Sequence, residues 1–225
     1  MSQIEHQDLI DRLVRDEEGR ITSTDRNSAI ALAVARYSKD RPRLKVEDLV
    51  GDGSQTLSMP AAWEPGFSSL SSLEYPVGSI PPNLIETSSW GIYNAPSGEQ
   101  IQVASAIQAG ASVRATYTIA HVVDDTTDTI PSSDREPFAC WAAAILCDQL
   151  ATLYSGDSAP TIQVDSVNHG SKASEFASRA KALRKRYLDE LGIDEKRATA
   201  AGVVVNMQLN DSQGRDRLTH PNRYR

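Results

Sequence analysis

The stretch HVVDD, His121 to Asp125, holds the most chemistry-bearing spacing in the chain. On a strand, alternate residues share a face, so His121 and Asp125 would stand together where a divalent metal accepts both ligand types. A metal-dependent hydrolase built there needs a third ligand at short range, and the sequence names none. A polar strand end running into the loop DDTTDTIPSS accounts for the same residues without chemistry, and that is the reading adopted. The other histidines, His6, His169 and His220, lie at helical spacing neither from His121 nor from one another, so no two-histidine grip is present. GDGSQT at 51–56 lacks the lysine and spacing of a phosphate-cradling loop, and no serine sits in a nucleophile elbow. The expectation is a protein that is not an enzyme and takes no cofactor and no metal.

The elements that carry these residues form one large domain or one domain with an insert, as 225 residues and 24.5 kDa allow. The formal charge is −7, and residues 206–225 carry four arginines against two aspartates, so the remainder is more acidic still. An acidic body argues against general nucleic-acid affinity, which needs a continuous basic surface. Cys140 and Cys147, seven residues apart on one predicted helix, lie roughly 10 Å apart along its axis and cannot bridge each other. They read as small apolar residues of a chain made in a reducing cytoplasm. The start, MSQIEHQDLIDRL, has no basic and apolar regions of an export signal, and the apolar run FACWAAAILC is shorter than a bilayer requires, so a soluble protein without a membrane partner is expected.

Local patterns divide the chain. Ser2 and Glu5 have the spacing of a capping box, and Ile4, Leu9, Ile10, Leu13 and Val14 gather on one face of a helix to about Arg15. Ser23 or Thr24 caps a second helix with a stripe at Ile30, Val34 and Tyr37 and a stop at Pro42. From Leu44 the period becomes two: Leu44, Val46 and Val50 predict a strand, GDG a turn, and SQTLSMP a second strand. SSLEYPV, SSWGIYNA, EQIQVAS and SVRATYTIAHVV continue that character to Val123. A third helix, capped by Ser133 or Asp134 and ended by Gly156, is apolar on nearly every face over 138–147, which marks burial among several neighbours. After the loop DSAPTIQVDSVNH, a fourth helix carries the stripe Phe176, Ala180, Leu183, Tyr187 and Leu191, ended by Gly192. Its Lys172, Arg179, Lys181, Arg184, Lys185 and Arg186 read as a solvated face or partner contact rather than a phosphate grip. Trp63, Trp90 and Trp141 are separated and read as core or interface anchors.

The fold class that results is α+β: a helical bundle with an inserted small β domain and an extended C-terminal arm. The boundaries are 1–43 and 131–192 for the bundle, 44–130 for the β insert and 193–225 for the arm. In the arm, Val203 and Val205 belong to a β-prone run that can pair with a partner's sheet edge. Beyond them, Arg215, Arg217, Leu218, Pro221, Arg223, Tyr224 and Arg225 combine the arginine and tyrosine types enriched where one protein grips another.

Together these pieces resemble the head-to-tail adaptor, or connector, proteins of tailed bacteriophages. The resemblance is carried by ALAVARYSKDRPR at 31–43, SLEYPVGSIPPNLI at 72–85, GASVRATYTIAHVV at 110–123, the helix CWAAAILCDQLATLYSGD, and ASRAKALRKRYLDELG before a polar terminus. It implies a structural virion protein of the phage neck, made in the bacterial host cytoplasm. In such a role the chain forms a homo-oligomeric ring, a dodecamer, beneath the portal protein. Val203 to Arg225 then reaches into the portal, the β insert faces outward or toward a further neck or tail component, and genomic DNA passes through the channel. The alternatives within the same class are a tail-completion protein and a head-decoration protein.

Overall fold

The computed structural model describes residues 3–156 and 172–194; the expectations placed on Ser2, on the 157–169 loop and on Val203 to Arg225 lie outside them. The chain divides into two units, Met1–Ile193 and Asp194–Arg225. The first is an α+β fold in which four helices build one core and two three-stranded antiparallel sheets build another.

Helix α1 (Gln3–Val14) buries His6, Ile10 and Val14, a strict i, i+4 row, with Leu9 and Leu13 packed beside it. Ile4, expected on that face, is exposed, because its position lies about 120° around the helix from the centre of the row. Helix α2 (Ser23–Asp40) is capped one residue earlier than expected. Thr22 Oγ1 accepts the Asp25 amide while the Asp25 carboxylate accepts the Thr22 amide, a reciprocal box that Ser23 and Thr24, lacking a carboxylate three residues on, cannot form. It ends where Pro42 forbids helical backbone at Arg41.

Helix α3 (Arg135–Gly156) is the bundle's axis. Ten of its residues, from Pro137 to Leu150, are buried, four of them alanines whose small side chains let α1, α2 and α4 approach. Taken with the turn before it, the segment is long and apolar enough to cross a bilayer, contrary to the length argument from the run FACWAAAILC alone, yet its apolar residues are spent in the protein's own core. Cys140 and Cys147 lie there as free thiols, and burial pushes both up to about 11, so neither is a reactive thiolate at neutral pH. Helix α4 (Lys172–Leu191) lies along α3 with Ala180, Leu183, Tyr187 and Leu191 buried and Phe176 beside them, as its stripe predicts. It closes at Gly192, whose φ of +66° lets Ile193 N donate to Leu188 O at 2.9 Å and Gly192 N to Asp189 O at 3.2 Å.

Sheet A has the order β1–β6–β3, from β1 (Arg43–Val50), β6 (Ser112–Ile119) and β3 (Leu70–Glu74); sheet B has the order β2–β5–β4, from β2 (Thr56–Leu57), β5 (Gly98–Val103) and β4 (Trp90–Ala95). Leu49, Leu73, Val113 and Ala115 of sheet A meet Leu57, Ile101 and Val103 of sheet B in the second core. The register Leu49↔Val113 fixes which face of β1 is inside, and it is the face opposite Leu44, Val46 and Val50.

Gly51, where β1 ends, is held on both sides: its amide donates to Ala111 O and its carbonyl accepts from Gly110 N, each at 2.8 Å. A Cβ there would stand 2.5 Å from Ile107 Cγ2 and 2.9 Å from the Gln108 carbonyl oxygen. Gly51→Ala is therefore expected to destabilise by about 1–3 kcal/mol through overpacking, read as a lower urea midpoint at unchanged slope.

Candidate functional site

The pairing of His121 with Asp125 on a strand face does not form. Strand β6 stops at Ile119, and 122–129 folds into a tight hairpin closed by the Val123↔Asp128 bridge. Asp124, the neighbour of Asp125, accepts the amides of Thr126 and Thr127 and so makes the turn. His121 is buried, with Nε2 3.0 Å from the Arg41 carbonyl oxygen and Nδ1 3.0 Å from the Thr129 carbonyl and hydroxyl oxygens, and its amide takes Ser38 Oγ at 2.8 Å. Both ring nitrogens are committed to the protein, so His121 joins the end of α2 to the strand exit rather than facing a ligand. Among the described residues, no group of three or more histidine, cysteine and acidic side chains could hold a metal ion.

The polar residues that do converge form a corner around Arg41. Its Nη1 donates to Asp134 Oδ2 at 2.8 Å, its Nη2 to Leu191 O at 3.1 Å, and its carbonyl meets His121. Ser133 and Asp134, the two predicted caps of α3, both lie in a 3-10 turn, Ser132–Asp134, and Asp134 turns inward to accept Tyr37 Oη at 2.6 Å. Burial alone would raise its carboxyl, but Tyr37, Ser133 and Arg41 outweigh that and hold it below the usual carboxylate range. Burial and the same bond push the Tyr37 phenol far up, so it stays a donor. A second link of this kind runs from Tyr187 Oη to Asp40 Oδ2 at 2.7 Å, with Arg36 Nε on the same oxygen at 2.7 Å.

The cationic face of α4 is largely spent on the protein itself. Lys172 pairs with Glu18, Arg184 with Asp148, and Arg186 with Glu136 and Glu190, while Arg179 Nη1 donates to Val14 O at 2.7 Å. These contacts tie α4 to α3 and to the α1–α2 connection on a face that stays solvated, as read from sequence: Lys172, Arg179, Lys181, Lys185 and Arg186 are exposed and Arg184 is half-buried. Trp141 lies against Tyr187 with Arg36 over its ring at 4.7 Å; Trp63 packs on Tyr117 and donates Nε1–H to Glu99 at 2.6 Å; Trp90 borders the sheet core. All three anchor, as expected.

The surface features that sequence reasoning missed are on sheet A. Strand β1 has β6 on one side and no described residue paired with its other edge, and Leu44, Val46 and Val50 are exposed on its outer face. The face that holds Leu49 also holds Lys45 and Glu47, with Glu47 accepting Ala61 N and Tyr117 Oη at 2.9 Å each; burial and that bond push the Tyr117 phenol up to about 12. With Lys45 and Glu47 inward, Leu44, Val46 and Val50 face outward with the exposed Asp48 among them, and an apolar alternation turned to solvent marks a contact surface. Across the sheet, β3 continues into residues 75–84, which fold back so that Tyr75 N donates to Asn83 O and Ile85 N to Leu73 O, leaving Ile80 at the tip.

No known protein family matches the chain, and no curated protein matches it. Among solved structures, it is similar to a chain of the neck of an empty gene transfer agent particle computed with C6 symmetry, at 12% identity over 78% of this chain and 88% of that one, with a TM-score of 0.28. It is also similar to a chain of the virion of a native gene transfer agent particle, at 13% identity over 81% and 87%, with a TM-score of 0.25. At these values the likeness is as distant in shape as in sequence.

Proposed function

We propose that the protein is a structural component of a phage-type neck: a ring-forming, non-enzymatic adaptor that joins a portal to the next head-tail component and lines the DNA channel. The observation that carries this reading is the exposed apolar surface of sheet A, on the outer face of β1 and on the finger after β3, which a protein leaves open where it assembles. The stretches on which the adaptor resemblance rests support it: 31–43, 110–123 and the two helical stretches lie in the elements that build the cores and the Arg41 corner, and 72–85 holds the exposed finger. The net charge of −7 suits a channel wall from which passing DNA is repelled.

In this reading residues 1–43 and 131–192 make the ring-building bundle, 44–130 the β domain, and 193–225 the arm that enters the portal. Val203 and Val205 add to a portal sheet edge, while Arg215, Arg217, Arg223 and Arg225, with Leu218, Pro221 and Tyr224, grip acidic or carbonyl-rich grooves. The ring is dodecameric, and the site of action is the virion neck. Deleting residues 203–225 is expected to weaken binding to the portal at least roughly tenfold while the remaining chain stays folded, measured by co-sedimentation with portal rings and by rotational averages of the complex. Unchanged portal binding by the shortened chain would overturn the role of the arm; capsid binding without portal binding by the full chain would favour a decoration protein.

A further inference from the structure

We infer that copies of this chain add head to tail through two unlike surfaces of sheet A, with the finger Tyr75–Leu84 of one copy seated on the outer face of strand β1 of the next. The strand order β1–β6–β3 places β1 at one edge of the sheet, and the β3 edge carries the finger through the Glu74↔Leu84 bridge. On the outer face of β1, Leu44, Val46 and Val50 are 61%, 54% and 66% exposed; on the finger, Ile80 is 99% and Leu84 57% exposed. The two surfaces are different, one a flat aliphatic strand and the other a narrow tip, so each satisfies the other and neither needs a two-fold axis. A contact between unlike patches repeats from copy to copy and closes when the rotation between copies allows.

Charge fits the same pairing. From Tyr75 to Ile85 the finger holds no charged residue, in a chain that is 24% charged. On the receiving side, Asp48 is engaged by Arg114 through Nε at 2.8 Å and Nη2 at 3.0 Å, and at the base of the finger Glu74 lies 3.7 Å from the same guanidinium. An uncharged tip therefore covers a face whose charges already have partners, and no lone charge is buried. The finger is held for this use by Asn83 Nδ2 donating to Tyr75 O at 2.8 Å and Gly78 N donating to Glu74 Oε1 at 2.9 Å. The inference rests on the ring reading and names the contact that would build it.

The test uses the full chain and two surface variants, Val46→Asp and Ile80→Asp. The wild type is expected to form higher oligomers by light scattering as concentration rises. Each variant alone is expected to raise the concentration needed roughly tenfold or more. An equimolar mixture of the two should stop at a heterodimer, because one intact finger then meets one intact strand and both outer ends are blocked. In parallel, a chain carrying both Val46→Cys and Ile80→Cys should give a cross-linked ladder on oxidation, free or on portal rings; Cys140 and Cys147 are buried and do not interfere. Oligomers or portal-bound rings that form without the ladder and are indifferent to both aspartates would overturn the contact and leave the ring reading standing. Dimers cross-linked by Val46→Cys alone would overturn it in favour of two like strands pairing. A wild type that does not oligomerise, free or on portal, together with a double-cysteine chain that gives no ladder, would also overturn it.

Discussion

Replacing Phe138 by alanine is expected to destabilise the protein by about 3–5 kcal/mol, the largest single effect in the bundle. Phe138 is fully buried on α3, its ring edge-on to His6 of α1 at 5.0 Å and to Tyr37 of α2 at 6.2 Å, so one side chain fills the space where three helices meet. Truncation removes those contacts and leaves a cavity that the surrounding alanines are too short to close. Against a typical total stability of about 5–15 kcal/mol, the loss is large enough to read directly from urea midpoints. Phe138→Leu should recover more than half of it. A cost below about 1 kcal/mol for the alanine variant would show that the helices repack freely and that this junction is not where the bundle is held.

The second large effect belongs to Asp134. Asp134→Ala leaves the buried Tyr37 hydroxyl without its acceptor and removes the carboxylate that holds Arg41 across the corner of α2, α3 and α4. A cost of about 2–4 kcal/mol near neutral pH is expected, since a charged hydrogen-bond acceptor is lost and a buried donor is stranded. The pH dependence separates this from simple packing loss. The Asp134 carboxyl is depressed in the folded protein relative to its value of about 3.9 in an unfolded chain. Its contribution is therefore fully present above that unfolded value and lost as pH falls through the lower folded one. The wild type should lose stability on acidification below about pH 4, and the difference from Asp134→Ala should shrink there. Asp134→Asn should retain the acceptor for Tyr37 and fall between the two at neutral pH. A difference between wild type and Asp134→Ala that is flat from neutral pH to pH 2 would show that the carboxylate's charge is not what stabilises the corner.

Much of the architecture was legible in local spacing. The stripe Ala180, Leu183, Tyr187 and Leu191 named the buried face of α4, the all-round apolar 138–147 marked α3 as the central helix, and Gly192 and Pro42 marked two helix ends. Each of those signals depends on residues within one or two turns of one another, so the sequence by itself determined them. It also determined that the sheets lie between helical segments and that the cysteines are structural. Tertiary structure alone decided the rest. Which face of β1 is inside depends on its register with β6, more than sixty residues further on, and the alternation of Leu44, Val46 and Val50 reads the same whichever way the strand is turned. Asp134 looks like a helix cap until Tyr37 and Arg41, nearly a hundred residues earlier, offer it better partners. His121 looks like a ligand until the carbonyls of Arg41 and Thr129 occupy its ring. Helix periodicity is a property of near neighbours, whereas the facing of a strand and the partners of a polar side chain are set by distant segments that only folding brings together.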